Sequence, residues 1–598
     1  MAKSKKKVAK LKAKEYSKKE CMKINREDGL TMFNLKKYTF RDFIDACTAR
    51  YSSRLCYTIV GGEDEVSFTY RYLAFKVHSI SQYLLNIGIK KGDKIAIYGE
   101  GSPMWMMMYF GITSIGAIAV PILPGFTPRE TIFALNNCGA KLVCGGKKQI
   151  LGIKDYILEN NLEVIRLEDI FYLPADSVKI MEDKNYFDLP GLDVTRVKFN
   201  IKELSKLPLE EDDIASIIYT SGTTGASKGV VLSHKNLLRN ADLSTTQYIK
   251  LKPGMRALSI LPVSHVYEFT NGQILCMMSG LEIHFLGKPP VVSILLPALK
   301  NVRPDVILSV PLLIEKVYKS AVAPMIKNGG KFEKIYNNKL TKNFVCRVIK
   351  RKLIQTFGGK LKFFGIGGAP LDKEVEEFLY RGAFPYALGY GLTETSPLLA
   401  ACGPKKKDHR LGYTGYIVPD VDMKLINKNA EGIGEIVVKG PNVMRGYYNN
   451  PDLNKESFTE DGYFKTGDLG FINNKNQLAI KGRCKTMILG PAGENIYPES
   501  IESVINNQQF VEESLVVSDN GSLLALIKID IELMAKSLAI SIDEAKEEAK
   551  KYIHSLKQTV NKELSSQNRI DSVELQEESF ERTATQKIKR FLYPKNKK

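Results

Sequence analysis

No Cys-x-x-Cys pair occurs anywhere in this 598-residue chain, and its nine cysteines are an odd number, which argues against both a disulfide framework and a zinc ribbon. That usage points to a reducing, cytoplasmic setting. No apolar core follows the N-terminal lysines, so they do not form a secretory signal. Internal repeats are absent. With 44% hydrophobic and 25% charged residues, the composition is that of an ordinary globular protein, which excludes collagen-like and wholly disordered classes. The length suits roughly two to four domains.

Only one long stretch lacks charge, Ser102 to Thr127, and it is long enough to span a bilayer. Gly111 and Gly116 interrupt it, Pro121 and Pro124 end it, and Ile118-Ala119-Val120 reads as a short strand. These features predict a buried helix followed by a parallel strand rather than a membrane span.

Net charge is +20, and it is uneven. The first 26 residues hold eleven Lys or Arg against two Glu, and Lys587–Lys598 hold six bases and no acid, which leaves +5 for the 560 residues between. The basic signal therefore reads as a property of the two ends. Residues 1–30 are expected to be a disordered tail; docking of that tail on an anionic membrane surface is the other reading, placing the protein in the cytoplasm or at the inner face of the membrane. No nucleic-acid partner is expected, because the body shows no basic patch interleaved with aromatics.

Leu73, Val77, Ile80, Leu84 and Ile87 recur at helical spacing up to Gly88. Strands are expected at Lys94–Gly99 and Leu142–Gly146, with a helix at Arg129–Asn137 between them. Further short apolar runs at Ala215–Tyr219, Ala257–Leu261, Val306–Val310, Lys360–Ile366 and Tyr386–Gly389 each end in Gly, Pro or small polar residues. Alternating strands and helices predict an α/β fold whose sheets are mostly parallel and flanked by helices, with ligands collecting at the carboxyl ends of strands. From Val421 onward the texture changes to alternating strands, a β-rich subregion. After Arg483 come a hairpin turning at Asn520-Gly521 and a Lys/Glu-rich helix over 543–564, a small α+β C-terminal region. The expected domains are a tail over 1–30, a large domain over 31–484 and a small mobile domain over 485–598.

The stretch Tyr219-Thr-Ser-Gly-Thr-Thr-Gly-Ala-Ser-Lys-Gly-Val230 directly follows an apolar strand. Gly222, Gly225 and Gly229 let backbone N–H groups approach an anion, Thr220, Ser221, Thr223 and Thr224 add hydroxyl donors, and Lys228 adds a charge. Together they describe a polyphosphate cradle. It is not a Walker A loop, since Ser227 stands where that pattern requires Gly before Lys. A flexible surface loop is the bland reading, and the preceding buried strand disfavours it.

This loop closely resembles the phosphate-binding signature of the adenylate-forming superfamily, which includes acyl-CoA synthetases, firefly luciferase and peptide-synthetase adenylation domains. Leu261-Pro-Val-Ser-His-Val-Tyr-Glu268, Gly367-Gly-Ala-Pro-Leu371, Gly389-Tyr-Gly-Leu-Thr-Glu-Thr395, Tyr463-Phe-Lys-Thr-Gly-Asp-Leu469 and Lys481-Gly-Arg-Cys-Lys485 resemble its later motifs, in the same order. The resemblance covers residues 35–593 and is strongest to bacterial long-chain fatty acid CoA ligases. It implies ATP, Mg²⁺ and CoA as cofactors and co-substrate, a fatty acid as substrate, and acyl carrier protein as an alternative thiol partner.

The same resemblance assigns roles residue by residue. Thr220, Ser221, Gly222, Thr223, Thr224, Gly225 and Lys228 would bind phosphates; Thr224 and Glu394 would hold the metal. Gly367, Gly368, Ala369, Tyr390, Gly391 and Thr393 would form the adenine and phosphate side of the nucleotide site, and Asp468 and Arg483 would bind the ribose. His265 would sit near the carboxylate and phosphates, and the apolar residues after it would line the acyl pocket, though each could equally be helix core. Lys587, in Thr585-Gln-Lys-Ile588, aligns with the lysine that bridges the carboxylate and α-phosphate, a positive charge where two anions meet; Thr-Gln replaces the commoner Ser-Gly before it. Lys485 would be the hinge and Gly493 would line the thiol channel. Taken alone, Glu394 and Asp468 are equally at home in solvated turns, and His265 as a structural histidine.

Overall fold

The computed structural model describes residues 33, 35–61, 65–172, 204–220, 227–247, 250–288, 290–326, 331–338, 340–489, 495–519, 522–565, 568–583 and 588–593. Ser221, Gly222, Thr223, Thr224, Gly225, Gly493, Lys587, the Asn520-Gly521 turn and the N-terminal tail lie outside the described residues.

The helix Tyr70–Asn86 starts where Thr69 Oγ1 accepts the Tyr72 N–H, and it buries Leu73, Val77, Ile80 and Leu84 as their spacing predicts. Against it packs Pro103–Ser114, capped by Ser102 and buried all round. A Cβ at Gly111 would lie 2.4 Å from Ile80 Cγ2, so the glycine lets the two helices approach. The strand Ile118–Ile122 follows and pairs in parallel with Lys94–Tyr98. The charge-free stretch is thus a core helix and strand, and no helix among the described residues is long and apolar enough to cross a membrane.

Two large sheets carry the fold. One has seven strands, with Ile118–Ile122, Lys94–Tyr98, Leu142–Gly145 and Glu163–Arg166 in parallel and the antiparallel hairpin Ile214–Thr220/Lys228–Ser233 beside them. The other has thirteen strands, parallel from Leu55–Val60 through Glu282–Leu286, Arg256–Ser259, Val306–Ser309 and Phe363–Ile366 to Tyr386–Gly391. At Tyr386–Gly391 the pairing changes, because Leu398–Ala401 runs antiparallel to it, and every later strand of that sheet is antiparallel. The β-rich subregion expected from Val421 onward is therefore a continuation of the parallel sheet.

Several strand ends differ from the sequence expectation by one to three residues, two of them for a visible reason. The strand expected over 257–261 stops at Ser259, ahead of Pro262, which has no N–H to donate. The one expected from Lys360 begins at Phe363, because the Lys362 and Phe363 N–H groups both turn to the Asp305 carbonyl.

Residues beyond the second sheet build their own core. Strands Val511–Asp519, Ser522–Ile529 and Ser572–Leu575 form a sheet covered by helices Pro498–Asn506 and Ile542–Glu563, with Ile501, Ile505, Ala525, Ala545 and Val560 buried between them.

Candidate active site

The site gathers where the large sheet changes from parallel to antiparallel, at the carboxyl ends of its strands, as open α/β sheets favour. The glycine-rich loop is the tip of a hairpin whose last pair is Thr220↔Lys228. Lys228 thus stands at the mouth of the loop, its ammonium 5.3 Å from the centre of the Tyr447 ring. Burial lowers its pKa, the charge of Lys485 lowers it further, and Glu394 and Glu456 oppose both. The expected hinge lysine therefore lies within electrostatic reach of Lys228, the lysine expected at the phosphates.

Glu394 is placed by several contacts. Its Oε1 accepts the Tyr447 hydroxyl at 2.8 Å and its carbonyl accepts the Met444 N–H. Gly446–Tyr447 pairs with Val230–Val231, which fixes Tyr447 to the strand carrying Lys228. Asn442 Nδ2 donates to the Thr395 carbonyl, and Asn240 bonds Leu398 through both its amide atoms, so the Thr393–Thr395 turn is held from behind. A Cβ at Gly391 would come within 1.9 Å of the Pro397 carbonyl, so only glycine fits there. Tyr447 escaped the sequence reading; its one signal is a tyrosine pair after an Arg-Gly turn, 53 positions from Glu394.

The residues expected on the nucleotide side form a second unit beside the first. Tyr390 donates its hydroxyl to Asp468 Oδ2 at 2.8 Å, and Arg483 Nε lies 3.0 Å from Asp468 Oδ1 across the pair Asp468↔Arg483. The buried carboxylate thus has both oxygens engaged while Arg483 remains half exposed. Burial, and then the neighbouring Asp468 charge, push the Tyr390 phenol well up. The ring expected against adenine and the carboxylate expected at the ribose are therefore tied to each other. Gly367 and Gly365 face the Tyr267 ring, with Gly368 at φ +89° and Ala369 exposed beside them.

His265 is half-buried, and its Nδ1 accepts the Tyr267 N–H at 3.2 Å. A ring that accepts through Nδ1 carries a proton on Nε2. The chain then enters a π-helix, Glu268–Ile274, and a short α-helix, Leu275–Met278. Val266, Phe269, Ile274, Met277 and Met278 belong to the main hydrophobic core, whereas Tyr267 lies against the Gly365–Gly367 strand end.

Glu268 is a second residue whose environment the sequence did not disclose. It is buried, its Oε1 accepts Ser259 Oγ at 2.6 Å and Gln273 Nε2 at 3.1 Å, and burial pushes its pKa up to about 7. A Cβ at Gly272 would lie 2.5 Å from that carboxyl. A carboxyl raised in this way stabilises the fold fully below its unfolded value of 4.5, and the contribution fades as pH rises through about 7. The loss is of order 3 kcal/mol. Glu268→Gln, which keeps the acceptor for Ser259, is expected to raise the melting temperature by several degrees at about pH 8 and to leave it unchanged at about pH 5. Equal melting of the two proteins at both pH values would show that the carboxyl is not held protonated.

Lys485 is exposed and follows the last paired residue of its strand, Arg483, by two positions. Around it, the Cys484 N–H bonds the Gly467 carbonyl and Thr486 Oγ1 donates to Glu499 Oε1 at the start of helix Pro498–Asn506. Residues on either side of Lys587 are anchored on the C-terminal core: Arg582 and Ile588 form an antiparallel bridge, Arg582 pairs with Glu513, and Arg590 pairs with Glu502.

The AMP-binding enzyme family model matches residues 45–448. A peroxisomal long chain acyl-CoA synthetase (number 7) of Arabidopsis thaliana is 29% identical over 524 residues, covering 81% of this chain and 71% of its own. A 4-coumarate–CoA ligase of Vanilla planifolia is 27% identical over 516 residues, covering 83% and 85%. Among solved structures, the o-succinylbenzoate coenzyme A synthetase of Bacillus subtilis in complex with ATP and magnesium ion superposes with a TM-score of 0.67 at 20% identity, covering 92% of this chain and 98% of its own.

Proposed function

Because the chain belongs to the AMP-binding enzyme family, we propose that it joins a fatty acid to coenzyme A through an acyl-adenylate. In the first half-reaction a carboxylate oxygen attacks the α-phosphorus of ATP, the bond to the β-phosphate oxygen breaks, and pyrophosphate leaves. In the second, the sulfur of CoA attacks the acyl carbonyl, the bond to the adenylate oxygen breaks, and AMP leaves as the thiol proton passes to solvent.

One observation carries this reading: Lys228, Tyr447 and Glu394 form one connected group on the hairpin mouth, and Tyr390, Asp468 and Arg483 form another at the adjoining strand ends. A cation and a carboxylate beside a glycine-rich loop suit a polyphosphate, and a fixed Asp–Arg pair suits ribose hydroxyls. Thr220, Ser221, Gly222, Thr223, Thr224 and Gly225 complete the cradle in this proposal. Magnesium, when bound, screens phosphate charge, and Thr224 with Glu394 supplies the oxygen donors that this hard cation requires. His265 orients the acid's carboxylate through its Nε2 proton, and Lys587 brings the charge that lets two anions meet. The division into a large domain to residue 484 and a small mobile domain from Lys485, with Gly493 in the thiol channel, belongs to the same proposal.

A long acyl chain is supported by the likeness to long chain acyl-CoA synthetases. Relatives named 4-coumarate–CoA ligases are of similar identity, so the acid must be tested directly. An acyl carrier protein thiol is the second acceptor, favoured by the basic C-terminal end. Cytoplasmic location and contact of the basic N-terminal tail with an anionic leaflet are proposed with it. The test is pyrophosphate release over a panel of carboxylic acids from acetate through stearate to 4-coumarate, with CoA or holo carrier protein as acceptor. Selective turnover of long saturated acids with CoA is the expected outcome; selective turnover of 4-coumarate, or of carrier protein over CoA, would replace this assignment.

A further inference from the structure

The near-neutral body of the chain hides a local concentration of charge. Residues 327–362 contain eleven Lys or Arg and one acid, Glu333, so the basic signal is not confined to the two ends. Lys342 and Lys362 are paired with Glu377 and Asp305. Lys334, Arg347, Arg351 and Lys352 are exposed and make no ion pair among the described residues.

Large apolar side chains stand out among these cations. Leu340 is 90% exposed and Phe344 68% exposed. Leu340 is held outward by a formed turn, since Asn338 Oδ1 accepts the Leu340 N–H at 2.9 Å and Thr341 Oγ1 donates to the Ile335 carbonyl. In the helix Lys342–Thr356, Val345, Cys346, Ile349 and Leu353 face the core. Phe344, Arg347 and Arg351 lie one turn apart on the outward side. The helix is thus already packed, and Phe344 on its outward face and Leu340 in the turn before it are exposed among these cations.

We infer that this face docks on an anionic phospholipid surface. Lysine and arginine favour the negative headgroup layer, and an exposed leucine and phenylalanine held beyond them favour the acyl boundary beneath it. Single-stranded nucleic acid fits less well, because Phe344 is the one exposed aromatic among the described side chains of this region and Tyr336 is buried beneath Lys342. The inference does not depend on which acid the enzyme activates.

The test is co-sedimentation of the full-length protein with vesicles of phosphatidylcholine alone or of phosphatidylcholine and phosphatidylglycerol in equal parts. Binding is expected to the anionic vesicles only. The L340S/F344S variant and the R347E/R351E variant should each lower partitioning by about tenfold, while circular dichroism and turnover of a water-soluble acid stay unchanged. A chain lacking residues 2–26 should lose only part of the binding. If both face variants bind anionic vesicles as the parent does, or if the tail deletion alone abolishes binding, the face is not the dock. Binding to single-stranded RNA but not to vesicles, abolished by the same substitutions, would overturn the assignment to lipid.

Discussion

Lys587→Ala is expected to lower acid-dependent pyrophosphate release by about 10²- to 10³-fold, the usual cost of removing one charge-stabilising group at a reacting centre. The same variant should still convert supplied acyl-adenylate and thiol to thioester at nearly the parent rate. The asymmetry follows from the chemistry. The first half-reaction brings a carboxylate against a phosphate and needs a cation between them, whereas the second attacks a neutral carbonyl and has no such need. Arg582 and Arg590, on either side of Lys587, are tied to Glu513 and Glu502 of the C-terminal core, so the substitution should leave that core intact. Equal loss in both half-reactions, with an unchanged melting curve, would show that Lys587 is not the bridging cation.

The second large effect concerns Lys485. Proline there fixes φ near −65° and restrains the preceding Cys484, so a rotation about this position is blocked. Lys485→Pro is expected to leave adenylate formation close to the parent value and to lower thioester formation by about a hundredfold, as mispositioned reacting groups do. Because Lys485 also lowers the Lys228 pKa through its charge, Lys485→Ala is the required control. It removes the charge while leaving the backbone free, and it should retain most thioester formation. If the alanine and proline variants lose the thioester step equally, the charge rather than the hinge is responsible.

Much of the parallel half of the molecule was legible because its signals are local. The helix Tyr70–Asn86 shows its buried face in its spacing, and the charge-free stretch is a helix and a strand divided at Gly116, although Gly111 lies within the helix and Pro121 within the strand rather than at their ends. What stayed hidden depends on distant pairing. Nothing near Leu398–Ala401 says that it will join the parallel sheet to the antiparallel one, and nothing near Tyr447 says that it will meet Glu394 and Lys228. The π-helix at Glu268–Ile274 was hidden for another reason: its polar residues Glu268, Thr270, Asn271 and Gln273 are buried along with Phe269 and Ile274, so no alternation of polar and apolar faces is left to read. Averaging charge over the whole body concealed the Lys327–Lys362 cluster, which becomes visible once Leu340 and Phe344 are seen on the surface beside it.

The central claim is that the acid's own oxygen attacks the α-phosphorus. It is tested most directly by running the complete reaction with a fatty acid labelled with ¹⁸O in both carboxylate positions and analysing the products by mass spectrometry. One ¹⁸O atom is expected in the phosphate of each AMP formed, none in pyrophosphate, and the remaining label in the thioester carbonyl. Label in inorganic phosphate with ADP as the nucleotide product, or unlabelled AMP alongside a fully formed thioester, would contradict it.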